Sequence, residues 1–163
     1  MVRFSESPTV EVEATIDAPR QVVWDLVTDI NLSARFSSEF QGAEWLVEGP
    51  ALEARFQGRN RIRDFEWQTV SWVDQFEPLS TFGWVVADRE NPGSAWAFHL
   101  AKHESGTRLR YHRRLGPGPS GLTRAIDREP DREEEIVARR DGQHRESMQA
   151  VVDGVKRLAE GDE

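Results

Sequence analysis

Along residues 9–16 polar and apolar positions alternate. In TVEVEATI (9–16), Val10, Val12, Ala14 and Ile16 alternate with Thr9, Glu11, Glu13 and Thr15, the period of a half-buried strand. The spacing turns helical in DAPRQVVWDLVTDI (17–30). Pro19 suits a first helical turn, Asp17 can cap it, and Val23, Trp24 and Val27 share one face. Asn31 and Ser33 predict a second short helix through SARFSSEF. The strand period then returns six times. AEWLVEG and ALEARFQGRNRIR read as a hairpin around Gly49–Pro50, followed by EWQTVSWVDQF, STFGWVVAD, SAWAFHLAK and TRLRYHRRL. Turn signals separate these last four, at Glu77-Pro78, Asn91-Pro92-Gly93 and Glu104-Ser105-Gly106. LGPGPSG (115–121) breaks the pattern and reads as a linker, with room for a short helix over 121–129. Pro130 to Glu160 reads as one long helix, with Asp131, Glu133, Glu134 and Glu135 at its positive end. Ile136, Arg140, His144, Ser147, Val151, Val155 and Leu158 fall on one face of it. Strand, two short helices, about six strands and a long helix is an α+β order.

Register assigns the faces of the strands. Phe56, Gly58, Asn60 and Ile62 fall on one side, and Arg55, Gln57, Arg59, Arg61 and Arg63 on the other, opposite Glu66 and Gln68. In the following strand Trp67, Thr69, Ser71 and Val73 point inward, which leaves Val70 and Trp72 outside, as tolerated surface or as a homodimer contact. The later strands send Phe82, Trp84, Val86, Trp96, Phe98, Leu100, Tyr111 and Arg113 inward, and His99 and His112 outward. The inner face therefore gathers Phe56, Asn60, Trp67, Thr69, Trp84, Trp96, Phe98, Tyr111 and Arg113. This is an aromatic wall with polar groups that a dry core would have to satisfy.

Charge changes the reading of the arginine row. The 163-residue chain has 29 acidic and 21 basic residues, a net charge of −8, and only Lys102 and Lys156 are lysines. A nucleic-acid surface normally carries a basic stripe, so in an acidic chain the arginines read as a solvated strand face, and no nucleic-acid partner is expected. With no cysteine there is no disulfide or thiolate metal site. No apolar run is long enough to insert in a membrane and no secretory signal is visible, so a cytoplasmic location is the expectation. The histidines and carboxylates have no metal-ligand spacing, and no nucleophile elbow or phosphate-binding loop occurs. No metal or cofactor is expected.

Three stretches carry a resemblance: VEATIDAPRQVVWDLVTDI; FQGRNR with FEWQTVSWVDQFEPLSTFGWVV; and SAWAFHL with ESGTRLRYHRRL before the C-terminal helix. With these the chain resembles the START-like, helix-grip superfamily (SRPBCC), in its polyketide cyclase/dehydrase and lipid transport branch. The likeness covers nearly the whole chain and implies one domain over 1–163. It also implies a curved antiparallel sheet of about seven strands gripping the long helix, with a cavity for an apolar ligand between them. The segment 115–131 departs from the pattern, being long and charged.

Within that frame the candidate binding residues are the inner-face set and His144. Arg113 either binds a ligand carboxylate, enolate or phenolate, or pairs with an Asp or Glu of the C-terminal helix, because an unpaired buried charge costs several kcal/mol. Tyr111 and Thr69 either donate to a ligand carbonyl or pack within the core. Asn60 either meets a ligand or fixes a bend marked by Gly58. His144 is either an acid–base group or a satisfied core residue. The leading expectation is binding of a small hydrophobic or aromatic metabolite, lipid- or polyketide-like. The alternatives are a cyclase/dehydratase-type enzyme moving protons with Arg113, Tyr111 or His144, and an interaction module using the outer sheet face.

Overall fold

A computed structural model describes residues 2–161. The alternating segments form seven strands: β1 (Thr9–Ile16), β2 (Phe40–Trp45), β3 (Arg55–Ile62), β4 (Phe65–Glu77), β5 (Thr81–Val86), β6 (Ser94–His103) and β7 (Gly106–Leu115). They make one antiparallel sheet in the order β1-β7-β6-β5-β4-β3-β2. Three helices complete it: α1 (Arg20–Val27), α2 (Gly121–Arg128) and α3 (Glu133–Ala159). The sheet folds around α3, which is the helix-grip arrangement.

The alternation is interrupted in two places. The register slips between Val73 and Gln75 in β4, and between Phe40 and Gly42 in β2. The first slip explains how Val73 and Phe76, three residues apart, both reach the core. Gly58 marks no bulge, for it pairs regularly with Ala43 and Thr69.

α3 packs mainly on β1 and α1, with smaller contacts to α2 and β7. At this end Val23 and Trp24 of α1 share one core cluster with Phe82, Val152 and Val155, with Phe76 packed against it, and Trp24 lies 5.6 Å from Phe76 and 6.5 Å from Phe82. The helix does not settle onto β3, β4 and β5, and a hollow remains there.

One buried charge fixes the helix against the sheet. Arg113 of β7 has no exposed surface. It donates at 2.6 Å to Asp141 Oδ1, at 2.9 Å to His144 Nδ1 and at 3.2 Å to the Pro8 carbonyl. A second tie is the two-pronged pair of Arg140 with Glu39, at 2.8 and 2.9 Å, between α3 and the entry to β2.

Several sequence expectations are corrected. The second short helix is only a four-residue 3-10 turn, Leu32–Arg35. AEWLVEG stops being a strand at Trp45, and Leu46 and Val47 are exposed. The inward stripe of α3 keeps His144, Val151 and Val155 of the predicted face and widens it to Val137, Met148, Val152 and Gly154, while Ile136 is only half-buried. The Trp72 ring is not bare, since the guanidiniums of Arg55 and Arg89 lie over it at 5.1 and 5.7 Å. Nor do the outer arginines pair with Glu66: Arg59 reaches Glu44 on β2, and Gln57 bonds Gln68.

LGPGPSG is no linker either. Gly116 N–H donates to Gly93 and Gly118 N–H to Pro92, both at 2.7 Å. A Cβ on Gly118 would run into the Asn91 carbonyl. The segment is clamped to the β5–β6 loop and aims α2 at the hollow.

Two substitutions test these contacts. Gly154 lies under Phe36, whose ring would be 2.5 Å from an added Cβ. Gly154→Ala should therefore destabilise the fold by ~1–3 kcal/mol through overpacking, against the ~1 kcal/mol gain expected from helix propensity alone. Asp141→Ala strands the Arg113 charge and should cost ~3–5 kcal/mol, most of it recovered when Arg113→Met is added. Urea unfolding of each variant measures both.

Candidate functional site

The hollow is a cavity of about 1100 Å³ between α3 and the concave face of the sheet. Phe56, Phe82, Trp84, Trp96, Phe98 and Tyr111 build its wall from four strands. The rings touch in sequence. Phe56 lies 6.0 Å from Trp84, and Trp84 lies 6.0 Å from Phe98 and 6.4 Å from Tyr111. Phe98 stacks on Tyr111 at 4.0 Å, and Trp96 meets Tyr111 at 5.9 Å. Alternation on adjacent strands aligns them, because Trp84 pairs with Trp96 and Phe98 with Tyr111.

The β3–β4 hairpin and α2 both contribute to the lining. In the hairpin Phe65 is 67% exposed, stacks on Trp67 at 5.4 Å and lines the cavity together with Ile62. Leu122, Arg124, Ala125 and Arg128 of α2 line it too. Ser120 caps α2 by accepting from Leu122 N–H, and Ile126 buries its other side.

Nine of the ten candidates line this cavity: Phe56, Asn60, Trp67, Thr69, Trp84, Trp96, Phe98, Tyr111 and His144. Arg113 does not. Its two terminal nitrogens are committed to Asp141, His144 and Pro8, and its Nε is sealed without a partner. Sequence alternation placed Arg113 inward, but the descending α3 covers it. Burial pulls its pKa down, and the Asp141 hydrogen bond and charge push back; the guanidinium remains a cation.

Among the candidates, the polar groups that face the cavity are neutral; the charged residues lining it are Asp29, Glu39, Arg124, Arg128 and Arg140. The Asn60 side chain makes no hydrogen bond to another described residue, and neither does the Tyr111 hydroxyl. Burial pushes the Tyr111 pKa above the ordinary phenol value. His144 is held at about 2, first by burial and then by the positive charges of Arg140 and Arg113. His99, on the outer face, also has its pKa lowered, by burial and then by Arg110 and His112. Among the described residues no group of three or more His, Asp or Glu could hold a metal ion, and no helix is long and apolar enough to cross a membrane.

Sequence reasoning missed the α2 wall and part of the α3 wall, Met148 above all. Both left signals. Leu122, Ala125 and Ile126 make an apolar stripe with helical spacing, and Met148 and Val151 stand three apart beside Ser147.

The family model for polyketide cyclase/dehydrase and lipid transport proteins matches residues 7–160. No curated protein matches the chain by sequence. Among solved structures, the solution structure of a polyketide-cyclase-like protein from Corynebacterium glutamicum is 29% identical. It superposes with a TM-score of 0.69, over 93% of this chain and 91% of that one. The ZhuI aromatase/cyclase from a Streptomyces species superposes equally well at 0.69 with 16% identity, over 94% and 93% of the two chains. The di-domain aromatase/cyclase StfQ, from the steffimycin biosynthetic pathway, is 20% identical with a TM-score of 0.59; the match covers 93% of this chain and 44% of that one. The last two likenesses establish the fold alone. The match of the family model over almost its full length establishes more: the chain belongs to the polyketide cyclase/dehydrase and lipid transport family.

Proposed function

We propose that the protein binds a small hydrophobic or aromatic metabolite, lipid- or polyketide-like, in the cavity between the sheet and α3. The observation that carries this reading is the void itself. About 1100 Å³ is walled by rings that a closed core would have brought into contact with α3. That volume suits a multi-ring or long-chain guest, and the family description points to the same chemistry. Burial of the guest's apolar surface supplies most of the affinity, at ~25 cal/mol per Å² before the costs of association. Asn60, Thr69, Tyr111 and His144 then orient it.

The neighbours titled aromatase/cyclase favour a second reading, an enzyme that folds a poly-β-ketone and moves protons. The side chains weigh against proton transfer by the three groups first considered. Arg113 is covered, Tyr111 holds its proton more tightly than a free phenol, and His144 is neutral with its Nδ1 occupied. What these groups offer a ligand is shape and hydrogen bonds.

Titration with fatty acids, flavonoids and polyketide-like aromatics should change the fluorescence of Trp84 and Trp96. Ser147→Trp, which fills the cavity from α3, should weaken binding at least about tenfold while leaving the unfolding midpoint nearly unchanged. A wild-type protein silent to every probe sinks the binding reading. A model polyketide whose product profile changes with the protein present would favour turnover instead.

Neutrality of His144 is checked through stability. In the unfolded chain it protonates near 6.5, in the folded chain only at about 2. As pH falls below 6.5 the unfolded state gains a proton that the folded state lacks. Its contribution is therefore complete above that value and declines toward about 2, by ~1.4 kcal/mol per pH unit. Urea unfolding from about pH 7.5 to about pH 5 should show the advantage of wild type over His144→Gln shrinking on acidification. A constant difference would mean that His144 titrates as an ordinary histidine.

A further inference from the structure

We propose that the ligand carries a carbonyl-type acceptor oxygen that seats on the Nε2–H of His144, and that Arg113 and Asp141 are positioning residues that fix this donor. The inference rests on the binding reading above and names the functional group the cavity selects.

The argument is one of proton inventory. A guanidinium has only donors, so the 2.9 Å bond from Arg113 Nη1 requires His144 Nδ1 to accept. A neutral ring then carries its single proton on Nε2. That nitrogen bonds no other described residue. It is also not among the sealed, unpartnered side-chain nitrogens, which are Trp72 Nε1 and Arg113 Nε, so it keeps access to the space that His144 lines.

The donor is rigid at every joint. Asp141 holds Arg113 at 2.6 Å from one turn earlier on the same helix that carries His144. Pro8 holds the same guanidinium from the N-terminal side. Trp96 meets the imidazole edge-to-face at 5.0 Å, and its own indole N–H is tied to Ser94 Oγ at 3.0 Å. The charged groups around the ring are Arg113 from β7, Arg140 and Asp141 from α3, and Glu39 paired to Arg140. Their placement puts guanidinium charge beside the imidazole and carboxylates behind the guanidiniums.

A site of this kind discriminates in one direction. It offers a hydrogen bond and cannot accept one, so a ketone or quinone oxygen satisfies it and a methylene leaves an N–H of a buried ring without a partner. An ammonium is doubly disfavoured, having no acceptor and the wrong charge. Ring stacking against Trp96 and Tyr111 favours a carbonyl conjugated to an aromatic system.

Fluorenone and fluorene test this, since they share a skeleton and differ by one carbonyl. Calorimetry or tryptophan quenching should show wild type binding fluorenone about tenfold tighter, the worth of one good hydrogen bond. His144→Phe should erase the preference, and His144→Gln, whose amide can accept from Arg113 and still donate, should restore part of it. The doubly neutral variant Arg113→Met/Asp141→Leu leaves no buried charge unpaired and should reduce the preference while still binding fluorene. On the uncomplexed protein, 15N spectra of His144 should show Nε2 protonated and Nδ1 bare in wild type, and mixed tautomers in the double variant. Equal affinities for the two probes in wild type overturn the acceptor proposal and leave the binding reading standing. Binding of neither overturns the acceptor proposal, and the binding reading falls with it only if the fatty acids, flavonoids and polyketide-like aromatics are silent as well. A proton found on Nδ1 overturns the positioning role whatever the affinities.

Discussion

Arg113 places a full positive charge where no water reaches it, and a charge in that position has to be answered from within the protein. The answers come from three distant parts of the chain: a carboxylate and an imidazole on α3, and a carbonyl just before β1. Non-directional apolar packing would let a 27-residue helix slide or roll on a curved sheet. A guanidinium with both terminal nitrogens committed does not, because its hydrogen bonds fail within a few tenths of an ångström. The helix therefore has one height and one rotation over β7.

That height has a consequence for the interior. With α3 anchored over β1 and β7 and seated on α1, its cavity-facing stripe of Gln143, Ser147 and Met148 stands away from β3 to β5. The sheet curls under it with large rings, and the rings contact one another more than they contact the helix. The void is thus maintained by polar geometry at one end and by the dense cluster around Trp24, Phe76 and Phe82 at the other. Binding and stability overlap along the ring wall, where Phe56, Phe82, Phe98 and Tyr111 belong to both core and cavity. Most residues that hold the fold lie at the closed end and along β1, while the open end is left to groups whose partners are not in the protein.

The architecture was legible in the sequence because it rests on periodicity. The alternation of Trp84, Trp96, Phe98 and Tyr111 fixed the concave face, and nine of the ten proposed binding residues do line the cavity. What failed had tertiary causes. Of the two uses open to Arg113, pairing with a carboxylate of the C-terminal helix held and contact with the cavity did not, because α3 roofs it and no local pattern records how low a helix sits. The α3 stripe was drawn too narrow, keeping His144, Val151 and Val155 but missing Val137 and Met148, since a helix wedged between sheet, α1 and α2 buries more than one narrow face. The GPGPSG stretch looked flexible from composition, but its glycines are there for close backbone approach to residues 91–93.

The same neighbourhood that denies Arg113 to a ligand is what gives His144 its character. A histidine on the inner stripe of a helix, read alone, is more often a packed ring than an acid or a base, but all three are open to it. Once its Nδ1 faces a guanidinium, two of the three are removed, because accepting a proton there would break the bond and set two cations side by side. Proton chemistry by this residue and a fixed donor at this residue are mutually exclusive uses of one ring, and the ion pair behind it has chosen between them. The buried charge is in this sense part of the binding site without touching what binds: it sets the helix, the helix sets the void, and the imidazole carries the remaining polarity into it.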